Sequence, residues 1–96
     1  MSDVDVIGVQ VAALMRDAAD VYLTSSFLQL ICLPERMKEL REDLEDRIHE
    51  AADSSKKRII DELVKIDAIR LVGGRWEPTD KGREVNRRLE RAVNRR

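Results

Sequence analysis

The apolar positions of this chain fall into helical stripes separated by short polar breaks. Ile7, Val11, Leu14, Met15, Ala18 and Ala19, then Val21 and Tyr22, recur mostly at intervals of three and four. That spacing predicts a first amphipathic helix. Asp3 or Asp5 can cap its start, because a carboxylate there accepts an unused N–H and suits the positive end of the helix dipole. Thr24-Ser25-Ser26 interrupts the stripe, and either serine can cap a second, short helix over 27–33. That stretch, FLQLICL, is apolar at six of seven positions. It is expected to be buried on most sides, in the core or against a second copy of the chain, so Phe27, Leu28, Leu30 and Ile31 form a candidate protein interface.

Pro34 ends this run, since proline lacks an N–H and restrains the residue before it from helical angles. Its ring also suits the first position of a new helix. The next helix, 35–52, is dense in charge and carries one narrow stripe of Met37, Leu40, Leu44, Ile48 and Ala51. Glu35 with Glu39, and Glu42 with Asp46, are like-charged neighbours four residues apart. Tertiary packing of the stripe, rather than local ion pairing, must hold this helix. Asp53-Ser54-Ser55 then offers caps for a helix over 56–67. Ile59, Ile60, Leu63, Val64 and Ile66 cluster on one side of it, and Ser54, Lys57, Arg58, Asp61 and Lys65 on the other. The same residues permit either two helices or one bent helix across 35–66.

A β-hairpin follows over 69–77. Gly73-Gly74 tolerates the positive φ angles of a two-residue turn. If Val72 pairs with Arg75, then Leu71 faces Trp76 and Arg70 faces Glu77, which gives one apolar face and one face with an ion pair. Trp76 is expected to act as a lid on a small core beneath the hairpin. Pro78 ends the second strand, and Thr79 or Asp80 caps a last helix over 80–95 with the stripe Val85, Leu89, Ala92 and Val93.

Composition narrows the class. Ninety-six residues allow one small domain. With 3% aromatic residues, the core must be built from Leu, Ile, Val and Ala. Two Pro and four Gly are few for a sandwich or barrel, so the fold is expected to be mainly α. No apolar run is long enough for a membrane span, and the first residues do not read as a secretion signal. The single Cys32 cannot form an internal disulfide, which points to the cytoplasm. The net charge of −1 conceals an asymmetry. Residues 1–33 carry one basic and four acidic groups, residues 34–53 four and eight, and residues 54–96 thirteen and seven. The basic half could meet a polyanion.

The string SSKKRIIDELVKIDAIRLVGGRWEPTDKGREV resembles winged helix-turn-helix regulators of the MarR and PadR kind. In that pattern a recognition helix ends in Leu-x-x-x-Gly-hydrophobic-Ile, a two-stranded wing follows, and Leu-Thr-x-x-Gly opens the next helix. Here the corresponding stretches are Leu63 to Ile69, the hairpin, and Pro78-Thr79-Asp80-Lys81-Gly82. Asp67 stands where the family has Gly, and Asp adopts the left-handed conformation better than most residues. The wing is shorter than in the family, and helix 35–52 is longer and more acidic. The resemblance implies a single winged-helix-like domain over 1–96. In it, apolar helices over 1–33 serve dimerisation, 35–52 is an acidic helix, 54–67 is the recognition helix, 69–77 is the wing and 80–95 is a basic C-terminal helix. It further implies a cytoplasmic transcription regulator that binds duplex DNA as a homodimer.

On that reading Ser54, Ser55, Lys56, Lys57 and Arg58 sit at the end of the recognition helix that meets base edges. The serines would bond phosphate with help from the helix dipole, and Arg58 would take a guanine edge. Lys65 lies on the same outward face, and Arg70 and Arg75 on the wing would touch the DNA backbone. The alternative is a small protein-interaction module or accessory regulator, of phage type for example, that uses the acidic helix or FLQLICL and binds no DNA. His49 has no second His or Cys at a ligand spacing, so no metal is expected. Cys32 reads as a small buried apolar residue. No phosphate loop or catalytic constellation appears, so neither a cofactor nor enzymatic activity is expected.

Overall fold

A computed structural model describes residues 5–18 and 20–95. The expectations for Asp3, Ala19 and Arg96 therefore lie outside the described residues. The order of elements is α1 (Val6–Asp17), α2 (Val21–Cys32), α3 (Lys38–His49), α4 (Asp53–Lys65), β1 (Ile69–Val72), β2 (Arg75–Pro78) and α5 (Asp80–Asn94). The fold is mainly α with one antiparallel hairpin, as the periodicity predicts. Among the described residues, no helix is long and apolar enough to cross a membrane.

Capping explains where the helices begin. The Gly8 N–H donates to Asp5 Oδ1 at 3.0 Å, so Asp5 starts α1. The break after α1 falls at Ala18, whose backbone is extended, and not at Thr24-Ser25-Ser26. Asp20 caps α2 by accepting the Leu23 N–H at 2.9 Å. The expected short helix over 27–33 is thus the second half of a longer one. Thr24, Ser25 and Ser26 are helical and buried. The Thr24 hydroxyl donates back to the Asp20 carbonyl at 2.9 Å, and Gln29 Nε2 donates to Ser25 Oγ at 3.1 Å. These bonds let small polar residues stay within a helix.

Pro34 does not open α3. Leu33 is extended, the Met37 N–H closes a turn onto the Pro34 carbonyl at 3.1 Å, and α3 starts at Lys38. The predicted stripe on this helix is only partly used. Leu44 is buried, Ile48 and Ala51 pack against the core, and Met37 and Leu40 are exposed. The stretch 35–66 is two helices. α4 begins at Asp53 behind an extended Ala52, with no side-chain cap. Ser54 and Ser55 therefore belong to its first turn and are not its caps.

One cluster joins the elements. Val11 and Leu14 of α1, Leu23, Phe27 and Leu28 of α2, Ile59 and Leu63 of α4, Ala68, Ile69 of β1, and Val85 and Leu89 of α5 meet in it. Phe27 is 9% exposed and Leu28 fully buried. Both belong to the core of a single chain and cannot form the interface expected of them, because α2 runs through the middle of the fold. Leu30 and Ile31, nearer its end, are half-buried.

The hairpin has the predicted register of Arg70 with Glu77, Leu71 with Trp76, and Val72 with Arg75. Gly73 and Gly74 both have positive φ. Trp76 packs against the core, yet Leu71 is 59% exposed, so the apolar face is covered only at its base. Arg70 and Glu77 are in register without an ion pair among the described contacts. Two exposed long side chains gain little from pairing in water.

The turn after α4 is locked to the start of α5. Asp67 has φ of 61°, the left-handed position foreseen for it. The Ala68 N–H donates to the Leu63 carbonyl at 2.9 Å, and the Thr79 N–H donates to the Ala68 carbonyl at 3.0 Å. Thr79 Oγ1 donates to the Asp67 carbonyl at 2.6 Å and accepts the Gly82 N–H at 2.9 Å. Gly82 comes so close to this turn that a Cβ there would lie 1.8 Å from the Ala68 oxygen.

Candidate nucleic-acid interface

The expected contact residues separate into two groups. The first is on α4. Ser54, Lys57, Arg58, Asp61 and Lys65 are exposed and share one side of the helix. Three cations thus surround one carboxylate. The first turn has no capping side chain, so its leading N–H groups are open to an acceptor. Ser55 and Lys56 turn partly inward, and Lys56 Nζ lies 3.6 Å from Asp53 Oδ1. That ion pair takes Lys56 out of the row of free cations. Lys65, at the far end, borders a shallow apolar groove toward α1, beside Val9, Glu62 and Ile66.

The second group is on the hairpin. Strand alternation puts Arg70, Val72, Arg75 and Glu77 on its outer face. Arg70 and Arg75 line a groove of about 800 Å³ between the hairpin, the end of α2 and the start of α5. Arg41, Lys81 and Arg83 line it as well, together with Glu35, Asp67, Glu77 and Asp80. The groove is mixed in sign with basic groups in slight excess. Leu30 and Ile31 reach its wall, so the half of FLQLICL that remains accessible faces this groove and not a free apolar patch.

Arg41, Lys81 and Arg83 were not singled out as site residues in the sequence. Lys81 and Arg83 flank Gly82, and the close approach of Gly82 to Ala68 brings both beside the hairpin. Arg41 has a different task. Its Nη1 donates to the carbonyls of Leu33 at 3.2 Å and Leu30 at 3.4 Å. It thereby caps the C-terminal end of α2 and favours that end of the helix dipole. No spacing rule in the sequence links an arginine in an acidic helix to carbonyls on the preceding one.

Cys32 sits close to this region and is half-buried. Burial pushes its thiol above the ordinary value, and the charge of Arg83 opposes this. A thiol held protonated is a poor nucleophile. At the opposite edge, Arg88 Nη1 donates to Asp5 Oδ2 at 2.7 Å and Arg88 Nε donates to Glu84 Oε1 at 3.0 Å. Arg87 also pairs with Glu84. The Gly8 N–H and then Arg88 hold the Asp5 carboxyl below its ordinary value, and Arg87 and Arg88 do the same for Glu84. Arg88 thereby ties α5 to the start of α1, and Arg87 is held within α5. The basic surplus of the C-terminal half is therefore not all available to a polyanion.

Among the described residues, no group of three or more His, Cys, Asp or Glu side chains is placed to hold a metal ion. No protein-family model, curated protein or solved structure matches the chain.

Proposed function

We propose that this chain is a winged-helix-type DNA-binding regulator that acts in the cytoplasm as a homodimer. The observation that carries this reading is the exposed side of α4, where an uncapped helix start leads into Ser54, Lys57, Arg58 and Lys65 around Asp61. A helix with free N–H groups and adjacent cations is suited to phosphate, and Arg58 has the forked donors that fit guanine. Asp61 can accept from a cytosine amino group. Arg70 and Arg75 on the outer face of the hairpin supply backbone contacts. The one-chain core leaves exposed Val6 and Val9 on α1 as the apolar positions for a second copy.

The test is fluorescence anisotropy of a labelled random duplex over a salt series. Affinity that falls linearly on logarithmic axes, with a slope of about −0.9 per phosphate neutralised, is the expected result. No binding at low salt overturns the reading. A second reading has its own observation. Val64 is 46%, Leu71 59% and Val72 43% exposed, all beside the expected DNA face. Apolar side chains gain nothing from phosphate, whereas a protein partner would cover them. If DNA binding fails, the reading passes to a protein-interaction module that uses these three residues.

A further inference from the structure

A polar cleft on another part of the molecule is not used by the proposed DNA contact. It lies between α2, the α3–α4 turn and the end of α5, and has a volume of about 670 Å³. That is in the range of clefts that take small molecules. Its wall includes Ser25, Ser26 and Gln29 of α2, and Arg47 and Glu50 at the end of α3.

Three features distinguish this cleft from a merely wet surface. Ser25 is 3% and Ser26 8% exposed, in a helix otherwise rich in apolar residues. Ser25 Oγ accepts from Gln29 and has no described acceptor for its own proton, while the Ser26 hydroxyl has no described hydrogen bond. The Ser26 oxygen is not sealed from solvent, so it opens onto the cleft, where its hydroxyl is free to meet a ligand, and Ala would serve the helix better. Next, Arg47 and Glu50, both exposed, stand three residues apart at the end of one helix and present opposite charges to the cleft. They form no ion pair with each other or with any other described residue. Lastly, Leu23, Ala51 and Val93 supply an apolar floor between the charged and hydroxyl-bearing walls.

We propose that this cleft binds a small zwitterion of the α-amino-acid class. The carboxylate of the ligand pairs with Arg47, its ammonium group pairs with Glu50, and its side chain lies over Leu23, Ala51 and Val93. The Ser25 and Ser26 hydroxyls donate the remaining hydrogen bonds to the carboxylate. An arginine takes a carboxylate with two parallel bonds, which suits the first of these contacts. The proposal does not depend on DNA binding, and it can fail or succeed separately.

The experiment is a thermal-shift screen of the full chain with each of the common amino acids at millimolar concentration, followed by calorimetric titration of the hits. Succinate and a simple diamine serve as single-sign controls. The expected result is a melting temperature that rises with the concentration of one or a few amino acids and not with the controls. Arg47→Ala should weaken the titrated affinity about tenfold to a hundredfold, as loss of a charged hydrogen-bonding partner does. Ser26→Ala should weaken it while leaving the apo melting temperature equal or higher, which separates loss of the ligand from loss of the fold. The proposal is overturned if no amino acid shifts the melting temperature. It is equally overturned if succinate or the diamine gives the same shift, or if the shift survives Arg47→Ala and Ser26→Ala together.

Discussion

Replacing Gly82 by alanine tests the joint on which the hairpin and α5 depend. The added Cβ would sit 1.8 Å from the Ala68 carbonyl oxygen and 2.8 Å from its carbon, both backbone atoms. Neither can swing aside as a side chain could, so the start of α5 must move. Movement strains the Thr79 N–H bond to Ala68, the Thr79 hydroxyl bond to Asp67, and the cap on the Gly82 N–H. Loss of an N-cap costs about 1 kcal/mol, each weakened hydrogen bond about 1 kcal/mol, and forced overpacking about 1–3 kcal/mol. The better helix propensity of alanine returns about 1 kcal/mol. The net is a destabilisation of about 3–5 kcal/mol, a large share of what a domain of this size has. Urea unfolding followed by far-UV circular dichroism should show it as a lower midpoint, and Trp76 emission should report the same transition. The melting temperature should fall by about 12–40 °C. Gly8→Ala is the milder comparison, since its Cβ would lie 2.5 Å from Asp5 Oδ2, a side chain that can rotate away with loss of the α1 cap, about 1 kcal/mol. If Gly82→Ala unfolds at the wild-type midpoint, the close approach of α5 to the Asp67–Ala68 turn is not a constraint on this fold.

Asp67→Gly should be neutral or stabilise by up to about 1 kcal/mol, because φ of 61° favours glycine, whereas Asp67→Val should lower the urea midpoint clearly. The Asp5 carboxyl titrates lower in the folded chain than in the unfolded one, owing to the Gly8 N–H and Arg88. Its contribution is thus complete above about pH 4 and disappears as pH falls through the folded value. Asp5→Asn should accordingly unfold at lower urea than wild type at pH 7, and the gap should narrow as pH drops below about 4. Arg58→Ala should weaken binding to a selected duplex by about 1–3 kcal/mol and relax preference at one base position. Arg75→Ala should instead weaken all duplexes alike and make the salt slope shallower by about one phosphate.

Local chemistry made the C-terminal half of the chain readable. Gly73-Gly74 could hardly be anything but a tight turn, and Leu71 opposite Trp76 fixed the register. Thr79 before a polar turn and an apolar stripe marked the start of α5, and its hydroxyl caps it. The N-terminal half misled because its signals compete. Thr24-Ser25-Ser26 is a good cap sequence, yet Asp20 lies nearby and caps first, Thr24 and Ser25 then bond within the helix, and Ser26 faces the cleft. A cap motif states that a helix can start there, and tertiary burial of Leu23, Phe27 and Leu28 decides that it does not. In α4 no other cap competes; the helix simply begins at Asp53 behind an extended Ala52, ahead of both serines.

The candidate sites were legible to different degrees for a related reason. The side of α4 that holds Lys57, Arg58 and Lys65 follows from a period of 3.6 alone, so the sequence sufficed to group them. Grooves depend on elements that are distant in the chain. Arg83 meets Arg70 and Arg75 only because Gly82 lets α5 reach the Ala68 carbonyl. Ser26 meets Arg47 only because α2 passes the end of α3. Arg88 shows the converse limit on reading charge from sequence. It counts toward the basic surplus of residues 54–96, yet it is held by Asp5 and Glu84. A polyanion that approaches the C-terminal half would therefore meet Lys57, Arg58, Arg70 and Arg75 as free cations, and Arg88 only after breaking two bonds. Charge counts overstate the polyanion surface by every such arginine, and Arg88→Ala should leave the salt slope of DNA binding unchanged while lowering the urea midpoint.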